Sequence, residues 1–418
     1  MIDATPFLIL AVIFGGFMAW GIGANDVANA MGTSVGAKAL TLKQAIVVAA
    51  IFEVAGCLFA GGEVTQTISH EIINPALFIH HPALLVYGML ASLLAAGCWL
   101  LIATNRGWPV STTHSIVGAI IGFALIDVGP DAVNWHEVIK ITSSWVLSPI
   151  IAGIIAFAIF MSIQRFIFNT PSPFKSAQKI APVYIFLVAF VVSMVTINKG
   201  LAHAHLPIGF WGGILLSIMF SLFIAGIGAL LLRRLKPQRK AKGVSQFADV
   251  EKVFAVLMIF SACSMAFAHG SNDVANAIGP LAAVVSIVQS GGKIMMNTGV
   301  PLWIIFLCAG GLVIGLATYG YKVTATIGQH ITELTPSRGF SAEVAAASTI
   351  IISSGTGLPV STTQLLVGAV LGVGFARGIG ALNLTVIRNI FMSWVVTLPA
   401  GAILAAVFFL LLKGIFGG

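Results

Sequence analysis

From Pro6 to Ala24 the chain runs 19 residues without a charge, and it keeps returning to stretches like this one. Apolar cores lie near 6–24, 44–62, 83–103, 109–126, 139–164, 182–198, 209–232, 253–272, 302–320, 343–357, 359–376 and 390–412. A helix needs about 20 apolar residues to cross the hydrocarbon of a bilayer. Charged residues make up 8% of the chain, against about 25% in ordinary soluble domains, too few to clothe a soluble surface. Mean hydropathy is +1.03. The expected fold class is an all-α polytopic membrane protein with about 12 transmembrane segments. The flank of the first core carries Asp3 and no basic residue, so that core reads as a span rather than a cleaved leader.

Net charge is +8, and its location matters more than its sign. Residues 233–243 hold Arg233, Arg234, Lys236, Arg239, Lys240 and Lys242 with no acid; residues 165–181 hold Arg165, Lys175 and Lys179, again with no acid. Both segments read as cytoplasmic loops under the positive-inside rule, with contact to anionic lipid as a by-product. Nothing else supports a nucleic-acid partner. Cys57, Cys98, Cys263 and Cys308 all fall in apolar segments, without metal or disulfide spacing, and read as packing residues.

The chain is written twice. "GANDVANA" (Gly23 to Ala30) returns as "GSNDVANA" (Gly270 to Ala277), seven of eight positions identical. "PVSTTHSIVGAIIG" at Pro109 returns as "PVSTTQLLVGAVLG" at Pro359, nine of fourteen identical. The offsets are 247 and 250; "VTQTI" at 64–68 against "VTATI" at 323–327 gives 259, and Trp145 against Trp394 gives 249. Matches in one order at a nearly constant offset mark an internal duplication. Five cores precede the first basic loop and two separate the loops, so the copies run in opposite directions and both termini lie outside. Lys322, Arg338, Arg377 and Arg388 then fall inside as well. The expected organisation is a first inverted repeat over 1–165, two linking spans and the basic loop over 166–251, and a second repeat over 252–418, with re-entrant or broken helices. Inverted repeats are a construction plan of secondary transporters, with the site at the repeat interface.

The repeated phrases carry the chemistry. Asn25, Asp26 and Asn29, like Asn272, Asp273 and Asn276, offer a carboxylate and amide carbonyls, a hard oxygen set suited to Na⁺ or to carrying a proton. Ionisable groups in membrane segments default to a functional reading; the plain alternative is helix capping. Ser111, Thr112 and Thr113, like Ser361, Thr362 and Thr363, stand where a helix would start. Free backbone N–H groups and hydroxyls there make an anion cradle. The Gly-rich stretch before Pro359 suggests a re-entrant segment. An anion beside bare carboxylates is repelled, so cations or protons must lie between them, which describes a cation-driven anion symporter. Glu53 and Glu343 are further proton or cation candidates, with a structural Glu as the plain alternative. They are not repeat mates. His269 stands where the first copy has Ile22, with a structural and a functional role equally open; His203 to His205 read as a solvated loop.

These motifs resemble the inorganic phosphate transporter (PiT) family, and the likeness covers nearly the whole chain. It implies twelve spans, inverted halves, outside termini, and phosphate as substrate driven by Na⁺ or H⁺, with a metal–phosphate complex carried in the proton-driven bacterial branch. It implies Ser111, Thr112, Thr113, Ser361, Thr362, Thr363, Asn25 and Asn272 as phosphate ligands, and Asp26, Asn29, Asp273, Asn276, Glu53 and Glu343 as the cation-coupling set. It brings no cofactor, no resident metal and no catalytic residue, and it raises a homodimer and a bacterial inner membrane. The short central loop departs from relatives with large regulatory loops, and Gln364 replaces His114 of the first hairpin. A sulfate permease of the same architecture is the alternative. An intramembrane aspartyl protease lacks its expected motif context here, a channel does not need matched halves, and no nucleotide-binding phrase occurs.

Overall fold

The computed structural model describes residues 4–200, 209–237, 246–294, 299–323, 334–378 and 384–417. His203 to His205, Arg239, Lys240, Lys242 and 324–327 of the "VTATI" repeat lie outside the described residues. Those described are overwhelmingly helical, with one isolated β-bridge, between Ile73 and Val133. This is what a bilayer demands of a backbone that cannot hydrogen-bond to water. Among the described residues, nine helices are long and apolar enough to cross a membrane, and Thr112–Asp127 and Thr362–Arg377 are shorter apolar helices.

The Asn-Asp phrases break their helices. α1 (Ala4–Ile22) passes through a widened π-turn at Gly23–Val27 into α2 (Ala28–Gly36). After α3 (Leu42–Ala60) and the short α4 (Gly62–Gln66) come α5 (Pro82–Asn105), α6 (Thr112–Asp127), α7 (Trp135–Ile163), α8 (Pro173–Val195) and α9 (Phe210–Arg233). The second copy opens with α10 (Gln246–Asn272), which stops at Asp273 and resumes as α11 (Ala275–Gln289). α12 (Leu302–Tyr319), α13 (Pro336–Gly355), α14 (Thr362–Arg377) and α15 (Leu384–Phe416) complete it.

α5–α6 and α13–α14 are hairpins with the same connector. Gly107 (φ 65°) and Gly357 (φ 74°) end the first arm in the left-handed region, which glycine adopts without a steric penalty. Trp108 N–H returns to Ala103 O and Leu358 N–H to Ser353 O. Ser111 and Ser361 then cap the second arm, accepting from His114 N and Gln364 N at 3.2 and 3.3 Å. Each second arm has 16 residues, or about 24 Å of helix, less than the roughly 30 Å of hydrocarbon. The arms make up four of the twelve predicted segments. Two antiparallel arms return the chain to the side it came from, so the inverted reading does not depend on counting each as a crossing.

The halves interlock mate for mate: α6 packs on α15 as α14 packs on α7, and α1 on α12 as α10 on α3. Backbones meet where a side chain would block them. A Cβ on Gly23 would lie 1.8 Å from Leu312 O, and one on the matching Gly270 would lie 2.2 Å from Glu53 O. Close approach through small residues is how helices associate without a hydrophobic drive between them. The α7–α14 contact has the same character, because a Cβ on Gly368 would lie 2.3 Å from Pro149 O. Gly368→Ala should therefore destabilise the purified protein by about 1–3 kcal/mol, read as a lowered Tm. Gly226→Ala, inside α9 where nothing lies within 4 Å, should not lower Tm and should raise it slightly.

Candidate functional site

The broken helices and the hairpin tips meet at one centre. Asn25 grips the first hairpin: its Nδ2 donates to Thr104 Oγ1 and Trp108 O, both at 3.0 Å, and its Oδ1 accepts from Val110 N at 3.2 Å. Asn272 grips the second in the same way, donating to Ser354 Oγ and Leu358 O at 3.1 Å and accepting from Val360 N at 3.2 Å. Each amide thus spends both its N–H bonds on a hairpin. The first tip also reaches across to the second: Thr113 Oγ1 donates to Val360 O at 3.0 Å, while Thr363 Oγ1 stands 3.2 Å from Val110 O and gives its one proton to the nearer Asp26 carboxylate.

The aspartates lie inside this frame. Asp26 Oδ2 accepts from Thr112 Oγ1 (2.6 Å) and Thr112 N (3.3 Å), and Oδ1 from Thr363 Oγ1 (2.9 Å), so one carboxylate joins both hairpins. Asp273 Oδ2 accepts from Thr362 Oγ1, while its Oδ1 has no hydrogen-bond partner. Asn276 Nδ2 reaches Thr112 and Thr113 Oγ1 at 3.2 and 3.1 Å, leaving its Oδ1 unpartnered. Asp26, Asp273, Asn276 and the six hairpin hydroxyl residues are all buried; Asn29 lies outside the residues whose side chains are described.

His269 sits between acids. Its Nδ1 lies 2.8 Å from Glu53 Oε2, and its Nε2 is 3.1 Å from Asp273 Oδ2, an ion-pair distance without hydrogen-bond alignment. Ligand atoms of Asp26, His269 and Asp273 all lie within 4.8 Å of one another, close enough to share one cation. Glu53 Oε1 is a further unpartnered oxygen. The helix contacts explain the lone imidazole. Gly23 faces Leu312 as Gly270 faces Glu53, so Leu312 is the mate of Glu53 and Ile22 the mate of His269. The first copy fills with two buried apolar side chains the place where the second holds a His–Glu pair.

Glu343 is not brought to the centre. Its Oε1 accepts from Thr33 Oγ1 and Ser34 Oγ, both at 2.5 Å, and its Oε2 from Ser261 Oγ, which makes a separate buried nest between α2, α10 and α13. The sequence reading left His269 open and did not single out Thr104, Ser354, Thr33, Ser34 or Ser261. Thr104 and Ser354 stand at the same 250-residue offset as the hairpins, a signal that would have found them. The hydroxyls around Glu343 come from three distant segments and share no motif.

Helix starts, hydroxyls and carboxylates buried between two inverted halves define a membrane transporter of a small charged solute, not an enzyme. The chain belongs to the phosphate transporter family, whose pattern matches residues 22–405. It is 55% identical to the "Putative phosphate permease" of Haemophilus influenzae, over 97% of each chain. It is 44% identical to the chloroplastic inorganic phosphate transporter 2-1 of Arabidopsis thaliana, covering 95% of this chain and 70% of the relative. A solved structure titled the sodium-dependent phosphate transporter is 41% identical, with a TM-score of 0.91, covering 98% of this chain and all of that one. These findings lend the sulfate alternative no support.

If the Asn25 and Asn272 amides hold the hairpins, removing either strands a buried backbone N–H. Asn272→Ala should lower stability by about 1–3 kcal/mol, measured by thermal unfolding in detergent. Asn272→Asp keeps the acceptor for Val360 N but sets an oxygen against Leu358 O and buries a charge beside Asp273, and should lose at least as much.

Proposed function

We propose that this protein carries inorganic phosphate together with a coupling cation by alternating access. The observation that carries the reading is the meeting of two hydroxyl-rich helix starts with Asp26 and Asp273 in one buried centre. Ser111, Thr112, Thr113, Ser361, Thr362 and Thr363 would supply donors to phosphate, aided by the N-terminal ends of α6 and α14. Asn25 and Asn272 serve the anion by fixing the hairpins in place.

The hydrogen bonds suggest how the two solutes are coupled. In the structure Thr112, Thr362 and Thr363 give their hydroxyl protons to the aspartates. A hydroxyl has one proton to donate, so these residues cannot serve a carboxylate and a phosphate at once. A cation that takes the Asp26 and Asp273 oxygens frees those hydroxyls for the anion and removes the repulsion between phosphate and carboxylates. Cation binding therefore precedes phosphate binding. The burial of the whole set supports reading the centre as occluded, and moving the hairpin tips apart on one side at a time would open it alternately.

Na⁺ is the coupling ion we favour. The solved relative is titled sodium-dependent, and oxygen ligands from Asp26, Asp273 and Asn276 suit a hard cation. The Glu343 nest, a carboxylate with three hydroxyl oxygens around it, is the second cation position in this reading. A proton-coupled reading has one observation in its favour, the imidazole of His269 between Glu53 and Asp273. Bacterial relatives and compact loops favour a bacterial inner membrane as the location.

Radiolabelled phosphate uptake into proteoliposomes under a Na⁺ gradient or a pH gradient separates the readings. Uptake driven by Na⁺ at equal pH is expected; uptake under the pH gradient alone would move the assignment to protons. Asp273→Asn should insert and fold but lose coupled uptake, and normal uptake in that variant would sink the proposal.

Ser361→Ala removes a cradle hydroxyl without touching a carboxylate. It should weaken phosphate affinity about fivefold, the worth of one hydrogen bond, with the Na⁺ dependence unchanged. A shift in Na⁺ dependence alone would place the hydroxyls at the cation instead.

A further inference from the structure

Behind the hairpin starts, between α7, α14 and α15, lies a cavity of about 860 Å³, within the 300–1,000 Å³ range of small-molecule sites. Its mouth is apolar: Val146, Ile154 and Val395 are 63%, 64% and 70% exposed and would face lipid in a bilayer. Its floor is different. His114, Gln364 and Trp394 line it, each at most 6% exposed. His114 Nε2, Gln364 Oε1 and Trp394 Nε1 make no well-aligned hydrogen bond, although His114 is near enough to the Gln364 side chain and the Trp394 backbone to interact with both. Buried polar groups are rarely left this way, and here three meet in one cavity.

We infer that this cavity binds a neutral, hydroxyl-bearing lipid of the diacylglycerol class, reached sideways from the bilayer. One hydroxyl can accept from the Trp394 N–H and donate to Gln364 Oε1, satisfying both. A single water meets the polar floor but leaves the apolar volume empty, whereas a hydroxyl on an aliphatic body fills both parts. Among the described residues the lining contains no Lys, Arg, Asp or Glu, so a phosphate-bearing headgroup would lose its water there with no charge to replace it.

The occupant would bear on transport. His114 and Gln364 follow directly on the two Ser-Thr-Thr runs, and their backbone N–H groups donate to Ser111 and Ser361. The His114 ring lies 3.8 Å from the Trp145 ring, centroid to centroid, and the Trp145 Nε1 donates to Pro359 O at the second hairpin. A lipid seated on this floor contacts the residues that position both helix starts, so the cavity is a regulatory site.

The test uses the full protein in phosphatidylcholine nanodiscs containing a trace of diacylglycerol with a diazirine in one acyl chain. Irradiation followed by peptide mapping should place crosslinks within residues 142–157, 364–375 and 391–398, suppressed by unlabelled diacylglycerol and not by added phosphatidylcholine. Trp394→Phe, which removes the donor and keeps a ring, should reduce labelling about fivefold; Val395→Trp, which blocks the mouth, should reduce it further. Crosslinks spread over the whole lipid-facing surface, labelling insensitive to both variants, or shielding of the cavity by a second copy of the chain would each overturn the inference. The readout does not depend on phosphate, so its failure leaves the transport assignment standing.

Discussion

Asp26 is the side chain on which the rest depends. Its two oxygens accept from Thr112 on one hairpin and Thr363 on the other, so a single buried carboxylate spans the junction between the halves. An ionised group taken out of water is costly unless it is paired and hydrogen-bonded, and hydroxyls that donate to a carboxylate make short, strong bonds. Satisfying Asp26 therefore requires both hairpin tips in place. Holding the tips requires Asn25 and Asn272, and that requires the helices to break at the Asn-Asp phrases. The π-turn after Ile22, the glycine connectors and the serine caps follow from this one demand.

The duplication is close to symmetric in the frame and broken at the chemistry. Asn25 and Asn272 make matching bonds, donor for donor. Yet Asp273 has an imidazole 3.1 Å away, while the place of that imidazole beside Asp26's helix is filled by Ile22. Asp26 receives hydroxyls from both hairpins; Asp273 receives one from Thr362 and keeps an oxygen without a partner. The two carboxylates are therefore not interchangeable. One is tied into the frame and the other is more open to a cation.

Much of this was legible before any coordinates. The offset shared by the Asn-Asp and Pro-Val-Ser-Thr-Thr phrases named the residues at the centre, since costly polar groups in an apolar chain persist where they are used. The basic loops gave an expected orientation of the halves. Thr104 and Ser354 were also within reach, at the same offset. His269 was only half legible: its place beside the motif was visible, but its partner Glu53 lies 216 positions away. Asn29 and Glu343 were grouped with the central cation ligands; Glu343 lies in a nest of its own.

The sequence by itself determined an all-helical membrane chain, its duplication, and the residue types at the heart of it, because hydropathy and repeat register are local properties of the string. Tertiary structure alone decided which copies touch. The exchange of partners between halves, α6 with α15 and α14 with α7, the reach of Thr113 across to Val360, and the pairing of Glu53 with His269 all join segments that no periodicity connects. Those contacts are set by where glycines let backbones approach and by which buried donors remain to be satisfied, and both exist only once the helices have packed.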